Sequence, residues 1–187
     1  MRASVTARRN AASSRTALLT AIPPFNLEIL TAYRRRVTGD SLRIGSMSER
    51  LSFTSEWGLG ELSPAERRLC DAFLRGDVLD LRTGDQEKDD PERGREWGQE
   101  RQVRAEVITA LLLSAVTPDP GRIAMLRLAG AQVTGTLSLA HAEILSPLSL
   151  KQCYFNEPIC LKEATTRSIQ LTGSTIPHLD ATDTKID

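Results

Sequence analysis

From Ile123 to Asp187 the apolar positions of the chain recur as a set. They read Leu126, Leu128, Ala131, Val133; then Leu137, Leu139, Ala142, Ile144; then Leu148, Leu150, Cys153, Phe155. The set returns as Ile159, Leu161, Ala164, Thr166 and as Ile169, Leu171, Ser174, Ile176, and it starts again at Leu179. Successive starts lie 11 residues apart up to Ile159 and 10 apart beyond it. Each pair within a unit has period two, which puts both members on one side of a strand. A helix would turn such a pair about 200° apart. Each unit is therefore predicted to be two short strands meeting at a corner. The Asn-Gly and Asp-Gly turns that favour hairpins do not occur in this stretch, so winding in one direction fits better. Two units, about 22 residues, make one circuit of a parallel β-helix in which equivalent residues stack at ~4.8 Å. The small third residue (Ala131, Ala142, Cys153, Ala164, Ser174) is expected to face inward where the backbone closes in.

Upstream, the pattern changes to that of helices. Ser63-Pro64-Ala65-Glu66 supplies an N-cap hydroxyl, a proline in the first turn and a glutamate three residues on, a capping box. Ala65, Leu69, Ala72 and Phe73 form one stripe, and Gly76 stands at the C-terminal cap. Val78 to Leu81 reads as a short strand. Arg82 to Arg95 is charged and contains Gly84, Pro91 and Gly94 without an apolar period, the mark of a mobile loop. A second helix is predicted from about Glu96 to Ala115, with Val103, Val107 and Leu111 in one row and Ile108, Leu112 and Ala115 widening it. An apolar helix must be covered, and so must the open end of a stack of strands. The segment from Ala105 to Ala115 is therefore expected to cap the first circuit, joined to it through Thr117-Pro118-Asp119-Pro120-Gly121.

The repeat resembles the pentapeptide-repeat solenoids. More closely, "VRAEVITALLL" followed by "LRLAGAQVTGTLSLAHAEILSPLSLKQCYF" is similar to bacterial pentapeptide-like proteins labelled membrane-associated oxidoreductases. The resemblance runs from about Leu62 to Ile186, and the solenoid it implies would have about three coils, fewer than such relatives. It implies a mainly β fold with N-terminal helices, namely a short right-handed parallel β-helix capped by an α-helix; the hand also follows the usual sense of parallel crossovers. The expected division is residues 1–46 as a disordered basic leader, 47–121 as a helical cap region with the mobile charged loop at 82–95, and 122–187 as the solenoid.

The chain has 187 residues, and its formal net charge of zero conceals an asymmetry. Residues 1–50 carry nine Arg and three acids, a balance of +6, which leaves −6 for the rest. An Arg-rich, Ser-rich, acid-poor start is how transit peptides and nucleic-acid-binding arms are built. Here no regular period is sustained, and Pro23-Pro24 interrupts the one apolar run, so the working protein is expected to begin near Met47. No uninterrupted apolar region follows the first arginines as a signal peptide requires. Val107 to Val116 is half the length of a membrane span, leaving only peripheral membrane contact.

Several residues are candidates for chemistry. Gly58 and Gly60 precede a helix and lie about twenty residues before Asp80, as in a dinucleotide fingerprint, but Ser63-Pro64 stands where the third glycine belongs. Of the three cysteines, Cys153 occupies the inward small position, Cys160 faces outward, and Cys70 belongs to the first helix. An odd count without a pair motif suggests a reducing, cytoplasmic setting. His141 and His178 fall at outward positions too far apart for a metal site, and Glu143, Glu157 and Glu163 read as solvated carboxylates. No catalytic residue, metal ligand or cofactor is assigned. The expected function is a non-catalytic interaction scaffold whose outer residues Thr134, Ser138, Ser149, Lys151 and Gln152 face a protein partner, or which self-associates through an open C-terminal coil. The alternatives are an oxidoreductase, as the resemblance implies, and a DNA mimic that shields topoisomerases. Mimicry and nucleic-acid binding are disfavoured by the near-neutral balance of five bases and six acids from Ile123 onward. The last repeat ends uncovered, which fits end-to-end dimerisation or a shortened relative of a longer protein.

Overall fold

The computed structural model of the chain describes residues 53–55, 57–114 and 120–186. The basic leader, the start near Met47 and most of the 117–121 linker lie outside these residues. Among those described, most regular structure is short strands in parallel sheets, accompanied by a few helices. No helix in them is long and apolar enough to cross a membrane.

Helix α1 spans Pro64–Arg75. Both halves of its capping box form: the Ser63 hydroxyl accepts from the Glu66 N–H at 3.1 Å, and the Glu66 carboxylate accepts from the Ser63 N–H at 2.8 Å. The helix stops at Gly76, whose φ of +70° and whose approach to the Ile123 carbonyl leave no room for a side chain. The second helix is shorter than its apolar spacing predicts. Only Ala105–Leu113 is helical (α2); Pro91–Glu96 and Gln99–Arg101 are 3₁₀ turns, and Gln102–Arg104 is strand β2. Val103 is fully buried in this strand, as it would have been in a helix, so burial spacing could not distinguish the two. Pairing with a neighbouring strand decided it.

Thirteen strands form four parallel sheets among the described residues. The first sheet runs β1 (Val78–Asp80), β3 (Leu126–Ala129), β7 (Leu148–Lys151), β11 (Ile169–Gln170), and the second β2, β4 (Gln132–Thr134), β8 (Tyr154–Phe155). The third runs β5 (Leu137–Ser138), β9 (Ile159–Cys160), β12 (Leu179–Asp180), and the fourth β6 (Glu143–Ile144), β10 (Thr165–Thr166), β13 (Lys185–Ile186). Register follows the sequence repeat. Leu126 pairs with Leu148 and Leu128 with Leu150, 22 positions on, while Leu148 pairs with Ile169, 21 on. Val133 meets Phe155, Leu137 meets Ile159 and then Leu179, and Ile144 meets Thr166 and then Ile186. Because strand side chains alternate, matching the inward residue of each layer to that of the next makes continuous apolar columns.

The corners explain the small residues. Gly130, Gln152 and Gly173 have φ of 66°, 49° and 63°, and His141, Glu163 and Asp183 have φ of 58°, 55° and 55°. These are two sets of left-handed residues at equivalent points of successive repeats, where the chain bends between strands. Each position in the first set is followed by Ala131, Cys153 or Ser174, and in the second by Ala142, Ala164 or Thr184. Ala131, Cys153 and Ala164 are fully buried. The sharp turn brings their backbone close to the interior, so a large inward residue there would collide with the columns.

Strands β1 and β2 lie outside the repeat yet extend two of its sheets, Leu79 pairing with Leu128 and Val103 with Val133. In the other two sheets β5 and β6 are the first strands, and α2 packs against both. Every α2 residue except Glu106 is buried. Helix α1 in turn packs on β1, β2 and β3.

Candidate functional site

Two places stand out once side chains are followed: a polar keystone beneath residues 82–101, and the last layer of strands. The segment expected as a loop without structure of its own contains the Pro91–Glu96 turn and buries Asp89 and Gly94. Gly94 lies so close to Tyr154 of β8 that any β-carbon would overlap the ring. Asp89 receives the N–H groups of Thr83 at 2.9 Å and Gly84 at 2.8 Å, and pairs with Arg101 at 2.9 Å. Arg101, 4% exposed, also donates to the Gly130 carbonyl at 2.7 Å, and its guanidinium sits 3.6 Å over the Trp97 ring. The Trp97 indole N–H in turn donates to the Lys88 carbonyl at 2.8 Å. Burial works to raise the Asp89 pKa, but the Thr83 and Gly84 N–H groups and the Arg101 charge outweigh it and hold the carboxyl below its ordinary value. The Arg101 Nη2 is buried without a hydrogen-bond partner.

A second ion pair ties the front of the molecule together. Glu66, 2% exposed, meets Arg104 through two charge-assisted bonds of 2.8 and 2.9 Å and also accepts from the Arg104 N–H at 3.0 Å. Arg104 donates further to the Leu59 carbonyl at 2.7 Å. Burial would raise the Glu66 pKa, but the bonds from Arg104 and from the Ser63 N–H prevail, and the carboxyl stays below its usual range.

The candidate chemistry falls into place against these contacts. Phe53–Ser55 is helical where a dinucleotide fold needs a strand, and Gly58 and Gly60 are left-handed turn residues beyond it. The end of α1 that would meet a phosphate is occupied by the Glu66 carboxylate. Asp80 accepts from Arg82 at 2.6 and 2.9 Å, and these bonds to the guanidinium hold its carboxyl low. The three residues of the fingerprint therefore do not assemble into a ribose and pyrophosphate site. An open groove of about 880 Å³ does lie beside Asp80, Arg82, Thr83, Asp89 and Gln152, and in it Arg82 is engaged by Asp80 and by the Gln152 side-chain carbonyl.

Cys153 is buried as expected; removal from water pushes its pKa up to about 11, and the thiol lies near the Leu128 and Lys151 carbonyls. Its burial and raised pKa are those of a packed thiol. Cys70 is buried and Cys160 half-buried. His141 and Glu163, neighbours in one corner column, meet at 3.1 Å on the surface, while His178 is exposed elsewhere. Glu157 accepts from the Thr136 hydroxyl at 2.6 Å. No group of three or more metal-ligating side chains occurs among the described residues.

The keystone was not legible in the sequence. Asp89 and Arg101 are charged residues in a charged run, and only Trp97, a large ring in an otherwise polar stretch, hinted that something was covered there. The last layer was legible. Its inward positions Ile169, Leu171 and Ile176 are only partly buried, Leu179 is 42% exposed and Ile186 70% exposed. Strands β11, β12 and β13 are the outermost strands of their sheets in this layer, so their outward hydrogen-bonding edges have no neighbouring strand among the described residues. No protein-family model, curated protein or solved structure matches the chain.

Proposed function

We propose that this chain is a non-catalytic interaction scaffold: a short right-handed β-solenoid of pentapeptide type, about three coils long, capped by α2, that works by self-association through its last coil. The observation that carries this reading is the last layer itself, where Leu179 and Ile186 are exposed alongside three strands that have no further strand beside them among the described residues. Unpaired edges beside apolar surface are a template for another chain. The 20- to 22-residue register and the two columns of left-handed corners support the closed solenoid. The oxidoreductase alternative draws less support, because Asp80 is engaged by Arg82 and the α1 N-terminus by Glu66. Light scattering on the full chain over a hundredfold concentration range tests the reading: mass above the monomer is expected, and a monomer throughout would refute it. Thermal shift with nicotinamide and flavin cofactors should show no stabilisation; a shift of several degrees would instead favour the oxidoreductase.

A further inference from the structure

Residues 83–101 join two strands that are fixed in sheets, β1 on β3 and β2 on β4, but are themselves attached in another way. Their backbone–backbone hydrogen bonds run to one another: Asp89 to Asp85, Arg93 to Asp90, Trp97 to Gly94 and Arg101 to Gly98. They meet the layers through the Arg101 guanidinium on the Gly130 carbonyl and the backbone of Gly94 on the Tyr154 side chain. Asp89 gathers the rest. One of its oxygens accepts from the Thr83 N–H at 2.9 Å, from the Thr83 hydroxyl at 3.3 Å and from Arg101 at 2.9 Å, and the other accepts from the Gly84 N–H at 2.8 Å. We infer that residues 83–97 are a strap whose catch is the Asp89 carboxylate on Arg101, and that acid opens this catch and lifts the strap from β8 while the layered strands stay paired.

Protonation acts on the catch directly. A neutral carboxyl turns one acceptor oxygen into a donor, which cannot serve the N–H groups that face it. It also leaves Arg101, buried and with its Nη2 already unpartnered, to the Gly130 and Lys88 carbonyls and the Trp97 ring. The surrounding charges do not replace the pair: Arg82 is taken by Asp80, Lys88 by Asp85, and Glu87 and Asp90 line the open groove. Strand β8 contributes the Tyr154 phenol, and the corner before it the Cys153 thiol. The folded pKa of Asp89 lies below its ordinary value, so the catch is complete above that range and is lost as pH falls through it. On β8 Phe155 is buried in the core and Tyr154 faces the strap, so release presents an aromatic side chain that the strap covers at neutral pH.

The test uses the full chain carrying Trp57→Phe, which leaves Trp97 as the single tryptophan. Trp97 is buried in the strap, so its emission reports the strap, while the far-UV circular-dichroism spectrum reports the strands. As pH falls from 6 to 3, Trp97 emission should move to the red, and its quenching by acrylamide should rise severalfold, at a pH where the circular-dichroism spectrum is unchanged. Asp89→Asn in the same background should show the released emission already at pH 6, with no acid transition before the strands are lost. Asp85→Asn, which removes an exposed pair with Lys88, should keep the parent's transition. Both signals changing together at one pH, Trp97 unmoved until the strands are lost, or a parent-like transition in Asp89→Asn would overturn the strap. If Asp89→Asn does not fold, the two signals of the parent decide the question on their own.

Discussion

The layered region from Leu126 onward and the segment from Arg82 to Arg101 are both held against the same core, by opposite means. In the first, each interior position is one of a column: Leu126 lies on Leu148, and Leu128 on Leu150. Many similar contacts share the stabilisation. In the second, one buried ion pair and one cation–π contact knit a largely polar segment together, Arg101 ties it to the Gly130 carbonyl, and Gly94 lets it lie against β8. Repetition distributes stability, whereas a keystone concentrates it in groups that have no substitute nearby.

Substitutions should therefore separate the two. Asp89→Ala leaves Arg101 charged and buried without its partner, and breaking such a pair is expected to cost about 3–5 kcal/mol in urea unfolding. A loss under about 1 kcal/mol would show that water reaches the pair and that the keystone is not one. Leu150→Ala, in the middle of a column, should cost about 2–5 kcal/mol, toward the lower end if neighbouring layers relax into the space. Gly94→Ala would drive a methyl group into Tyr154 and should cost about 1–3 kcal/mol; tolerance of it would mean that the 91–96 turn can lift from β8.

Acid should act on the front of the molecule. Glu66 and Asp89 both have folded pKa values below their ordinary ones, so the folded chain binds fewer protons than the unfolded chain near pH 4. Their contribution is complete above that range and is lost as pH falls through it. Stability measured from pH 6 to pH 3 should decline, and Asp89→Asn should flatten the decline; an identical slope in that variant would remove Asp89 from the account. The smallest effect expected is a gain. Thr166 stands in the column between Ile144 and Ile186 with its hydroxyl buried and unpartnered, so Thr166→Val should stabilise by roughly 0.5–1.5 kcal/mol. If it destabilises, the hydroxyl has a partner.

Legibility followed the same division. Strands and their register could be read from the period because each layer imposes the same demand: an inward aliphatic pair, a corner, a small residue. The capping box and Gly76 were readable because they are local chemistry. The start of α2 was misread, since Val103 satisfies a helical row and a buried strand equally well, and only the neighbouring Val133 distinguishes them. The ion pair of the keystone left no trace in the pattern, because a buried salt bridge is written with the same letters as a solvated one.

What the sequence by itself determined is whatever repeats or closes within a few residues: the two strands per unit, the step between layers, the ends of α1. What only the tertiary structure decided is where β1 and β2 join, how α2 covers β5 and β6, and that Asp89 meets Arg101 in the interior. The physical reason is range. Side-chain alternation and helix capping are set by neighbours in the chain, whereas the pairing of a lone strand or a lone charge depends on a partner far away in sequence, which no local pattern encodes.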